Sequence, residues 1–138
     1  MLKRLFAVML AAAPAATLGQ ALEPGEWEFT ATTSSPMLPQ PQTMTTKQCV
    51  KKEDADNPER WMGRQAEKND CKVTQGKKGT DTLTWEMDCP KSNMRGSGSA
   101  RIAGGTMESE MQMSGDMQGR KFQLHTKMSG RRLGPCKS

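Results

Sequence analysis

The stretch Leu83-Thr84-Trp85-Glu86-Met87-Asp88-Cys89, with Met94-Arg95-Gly96-Ser97-Gly98-Ser99-Ala100-Arg101-Ile102 after it, decides the fold class. In both runs an apolar or small residue alternates with a polar one, which is the period of a half-buried strand. Between them, Pro90 to Asn93 reads as a turn. Strands joined by so short a connection pair antiparallel. Gly96 and Gly98 fall among the inward positions. There they leave room for Trp85 on the preceding strand and let the sheet bend.

The same alternation continues toward the carboxyl end. Gly104-Gly105 makes a turn, and Met107, Met111 and Met113 then share a face opposite Glu108, Glu110 and Gln112. Residues 114–119 read as a turn. Beyond them Phe122, Leu124, Thr126 and Met128 point in, while Lys121, Gln123, His125 and Lys127 point out; residues 130–138 form a basic tail.

Toward the amino end, Cys71, Val73 and Gln75 lie on a strand joined to the Trp85 strand by a turn around Gly79. Residues 51–70 are highly charged and contain Pro58. They predict a short helix over 58–62, with Asn57 as N-cap and Pro58 at the first helical position. Trp61 and Met62 would pin this excursion to the sheet. Residues 43–50 are Thr-rich and strand-like, and the loop before them holds Pro36, Pro39 and Pro41. In the first strand Trp27, Phe29 and Ala31 face opposite Glu26, Glu28, Thr30 and Thr32. The expected fold is mainly β: an antiparallel meander of about seven strands, forming a curved sheet or partly closed barrel, with one short helical excursion.

Before this domain lies a leader. Lys3 and Arg4 precede an apolar run over 5–13, Pro14 and Gly19 break it, and Gly19 and Ala21 occupy the −3 and −1 positions of a signal-peptidase site. Residues 1–21 thus read as a signal peptide cleaved after Ala21, and 22–138 as a single disulfide-bonded β domain. The run is too short for a transmembrane helix, and no later segment is apolar enough to be one. The expected location is periplasmic or secreted. Without Lys3 and Arg4 the formal charge of +5 falls by two, which gives little reason to expect a polyanionic partner. With only three Phe, three Trp and no Tyr, and no basic stripe ahead of the tail, nucleic acid is not an expected partner.

Apolar residues make up 34% of the sequence with the leader included. That is a thin core, of the kind covalent links support in exported domains. Cys49, Cys71, Cys89 and Cys136 are even in number, and none forms the close pair of a zinc site. Pairing Val73 with Trp85 puts Cys71 opposite Met87 and Cys89 one diagonal step away. This favours Cys71–Cys89 with Cys49–Cys136. The rival is Cys49–Cys71 with Cys89–Cys136.

The chemistry-bearing residues are sparse. His125 is the one histidine, on an outward position, so no nucleophile–base arrangement is expected and the chain does not read as an enzyme. Met107, Met111, Met113 and Met128 occupy inward positions and read as core filling, since Met adapts to irregular gaps. Because thioethers are soft ligands, Met107, Met111 and Met113 with His125 are the alternative, a Cu(I) site. No cofactor is expected.

Several segments recur in a familiar order. Pro24-Gly25-Glu26-Trp27-Glu28 comes first. Cys49 is followed by Lys52-Glu53-Asp54-Ala55, then by Cys71-Lys72-Val73 and by a Thr84-Trp85 strand ending at Cys89. Met-rich strands lead to Gly130-Arg131-Arg132-Leu133-Gly134 and Cys136. Over nearly all of 22–138 this pattern resembles the bacterial exported family known as domain of unknown function 3617. The resemblance implies an export signal, a β-rich domain and many methionines, and brings no activity, substrate or catalytic residue. Two functions therefore stay open. One is a non-enzymatic binding or interaction module of the cell envelope, for an apolar ligand or an envelope protein. The other is Met-based copper handling or redox buffering.

Overall fold

A computed structural model describes residues 22–137; the expected leader and its cleavage site lie outside the described residues. Seven strands form one sheet: β1 (Gly25–Ser34), β2 (Gln42–Val50), β3 (Lys72–Lys78), β4 (Thr82–Cys89), β5 (Met94–Ala103), β6 (Thr106–Met117) and β7 (Arg120–Gly134). Their order is β2-β1-β7-β6-β5-β4-β3, with every pair antiparallel. From β3 to β7 this is the expected meander. The β1–β2 hairpin then docks on β7 through β1, so β2 and β3 become opposite edges and the sheet stays open.

That topology explains the helices. The link from β2 to β3 must cross six strand spacings, roughly 29 Å. It does so with α1 (Lys52–Asp56) and α2 (Pro58–Glu67). The helical excursion is therefore longer than the expected 58–62. Arg64, Gln65, Ala66 and Glu67 are good helix formers and carry α2 onward. Pro58 does take the first helical position, but the Asn57 side chain makes no capping hydrogen bond.

The helices cover one half of the sheet's apolar face. Trp27 is 0% exposed and its Nε1 donates to the Glu23 carbonyl at 2.8 Å. Its ring stacks on Phe29 at a centroid distance of 5.9 Å, and Trp61 of α2 stacks on the same Phe29 at 6.1 Å. Phe29 pairs with Gly130, Gly130 with Met107, and Met107 with Ile102. A Cβ on Gly130 would sit 2.8 Å from the Phe29 ring, so glycine is what lets that ring lie across β7. Trp85 covers Gly98 in the same way, as the alternation predicts.

Two turns differ from expectation. The β6–β7 turn is only Gln118 and Gly119, both at positive φ (54° and 79°), a two-residue arrangement that matches the strand twist. Both flanking strands are consequently longer, and the supposed tail is strand as far as Gly134, where it pairs with Glu26. At the β3–β4 hairpin Gly79 N–H donates to the Thr82 carbonyl at 2.8 Å, and the register slips between Gln75 and Lys78. Val73 therefore faces Met87, not Trp85. Continued one pair beyond Lys72 and Asp88, this register sets Cys71 directly opposite Cys89, with Cα atoms 4.1 Å apart in a disulfide. The other disulfide, Cys49–Cys136, spans 5.4 Å between Cα atoms and ties β2 to the chain beyond β7.

Candidate functional site

The face turned away from the helices is polar. Glu86, Ser97, Gln112 and His125 stand side by side on β4, β5, β6 and β7, and Ser34 follows on β1. Two residues along, Asp88, Arg95, Ser114 and Gln123 make a parallel row. Between the rows run Met87, Gly96, Met113 and Leu124, whose places in the alternation belong to the other face. The result is a trough of about 990 Å³ that reaches Thr74 at one end and Ser35-Pro36 at the other.

His125 sits in this trough. Its side chain is 35% exposed, less than an outward strand position suggests, and its Nε2 is buried without a hydrogen-bond partner. The nearest acid is Glu110, 3.8 Å away, and Lys127 lies 3.6 Å from the same carboxylate. A buried polar atom left unpaired costs about 1–3 kcal/mol.

The methionines lie elsewhere. Met107 and Met113 are buried, Met111 and Met128 half-buried, and Met117 is 61% exposed. Gln112 pairs with His125, whereas Met111 pairs with Thr126 and Met113 with Leu124. His125 therefore occupies the face opposite the thioethers. Met107 and Met113 are six residues apart on one strand, roughly 20 Å. The structure does not bring Met107, Met111, Met113 and His125 together. Among the described residues, no three His, Cys, Asp or Glu side chains group to hold an ion either. Burial also separates the methionines energetically. Met107→Ala is expected to cost about 2–4 kcal/mol, and Met111→Ala less because its side chain is only partly buried. Urea unfolding of both variants measures the difference.

A polar anchor that sequence reasoning missed joins α2 to β3. Lys78 Nζ lies 2.5 Å from Glu59 Oε1, and Gln75 Nε2 donates to that oxygen at 3.3 Å. Desolvation pushes the Glu59 carboxyl up, but Lys78, the backbone and Gln75 outweigh it and hold the group below its usual range. No local pattern connects Glu59 with Lys78, since the contact depends on how α2 crosses the sheet.

All four cysteines are in disulfides and none of the described residues is a free thiol. No helix among the described residues is long and apolar enough to cross a membrane. No curated protein and no solved structure is significantly similar to the chain. A family model does match, over residues 22–136. The chain belongs to the family described as Protein of unknown function (DUF3617).

Proposed function

We propose that this protein is an exported, non-enzymatic binding module, and that its polar trough holds a polar segment of another envelope protein. The observation that carries the reading is the polar trough of about 990 Å³ across four strands, with His125 in its wall. Around it stand Ser34, Ser97, Gln112, Ser114 and Gln123. These hydroxyl and amide groups both donate and accept, as a peptide backbone requires. No Phe, Trp or Tyr lines the trough, which lacks the broad ring faces on which sugars stack. Two disulfides are compatible with an oxidising compartment, and the amino-terminal leader supports export. The reading as a non-enzyme rests on the single histidine, whose nearest acid is 3.8 Å away, and on cysteines that are all engaged.

Photo-crosslinking in the intact envelope tests this. A photoreactive residue at Gln112 is expected to give discrete adducts that disappear in His125→Ala. The same residue at Lys68, at the end of α2, is expected to give none. Adducts that are equal at both positions, or indifferent to His125→Ala, would show that the trough is not the contact surface.

A further inference from the structure

The two edges of the sheet are unlike. β3 is guarded. Its register is broken between Gln75 and Lys78, it carries Lys72, Lys77 and Lys78, and Glu59 of α2 grips Lys78 and Gln75. Bulges, lysines and a covering helix are the devices by which natural sheets prevent edge-to-edge pairing.

β2 has no bulge, and only one lysine. It pairs with β1 at nine consecutive positions without a register break. All its residues but Val50 are exposed, Met44 to 68%. It contains no proline and no glycine, and Lys47 is its one charge. Its outer side is a row of backbone donors and acceptors that no strand among the described residues meets.

We propose that β2 is an interaction surface whose partner is β2 of a second copy of this chain, paired antiparallel about a two-fold axis. The strand is complementary to itself. Run against itself about Thr46, it pairs over its full length, and Lys47 then faces Thr45 rather than another Lys47, so no like charges stand directly opposite. Such an interface is isologous, and among the described residues each chain has only one unguarded edge. Assembly therefore closes at two copies instead of growing into a fibre. The joined sheet would carry both polar faces, with the Thr30–Thr45 and Thr32–Thr43 hydroxyl pairs flanking the join.

Sedimentation of the disulfide-bonded protein over a concentration series, together with amide hydrogen exchange, tests the proposal. A monomer–dimer equilibrium is expected, in which alternate amides of residues 42–50 gain protection as concentration rises while those of residues 72–78 do not change. Thr46→Lys places two like charges at the axis and should raise the dissociation constant at least about tenfold. Because Thr46 is exposed, the variant's monomer should keep its thermal midpoint. A protein that stays monomeric at millimolar concentration overturns the proposal. So does a dimer unaffected by Thr46→Lys, or protection that develops on β3.

Discussion

Replacing Cys49 and Cys136 together by Ser is expected to lower the unfolding free energy by about 4.5 kcal/mol in the loop-entropy description. The bridge joins residues 87 apart, so without it the unfolded chain gains a large conformational freedom. Cys71–Cys89 joins residues only 18 apart, and its loss is expected to cost about 3 kcal/mol. The order of the two losses matters more than either value. The long bridge also holds the β1–β2 hairpin, which otherwise reaches the sheet only through the β1–β7 pairing. Denaturant unfolding of the two double-Ser variants gives the comparison, and non-reducing proteolysis with mass spectrometry identifies the linked peptides. A peptide pair containing Cys49 and Cys71, or a larger loss from the short bridge, would contradict this account.

Trp27→Ala is expected to cost about 3–5 kcal/mol, a large share of the 5–15 kcal/mol typical of a whole domain. Three losses coincide. The indole is fully buried, its stacking on Phe29 goes, and the Glu23 carbonyl loses the Nε1 donor that ties Leu22 and Glu23 over the core. Phe29 then keeps Trp61 as its aromatic neighbour. Trp27→Phe separates these effects, because it keeps most of the apolar contact and removes the hydrogen bond, for about 1 kcal/mol from that bond. If Trp27→Ala unfolds at nearly the same denaturant concentration as the native chain, the core is not organised around this side chain.

The sequence was most legible where one residue's side follows from its neighbour's. Trp27, Phe29, Leu83, Trp85, Ile102 and Met107 all lie on the face that alternation assigns, because a strand cannot change parity without a bulge. Where a bulge occurs, at 75–78, parity alone gives a register two residues off and sets Cys71 opposite Met87 instead of Cys89. The β1–β7 pairing was not legible, because nothing local in Gly25–Ser34 names a partner about a hundred residues away. The helices are longer than the local pattern indicates for a related reason: how far the connection must travel depends on which strands form the edges. For the trough, the outward places of His125, Gln112 and Ser97 followed from parity. The orphaned Nε2 did not, since it depends on three strands lying side by side.

The seat of β1 has a consequence for how this chain is made. β1 is among the first parts of the domain to be synthesised, yet the strand that receives it, β7, is the last strand of the domain. Pairings so distant along the chain are slow to form, because closure entropy is spent before any contact rewards it. Until β7 has been translated, β1 and β2 amount to a lone hairpin, marginal in water by itself. The topology therefore postpones folding to the end of synthesis. A growing polypeptide of this sequence becomes a compact body only once its last strand, β7, has been made.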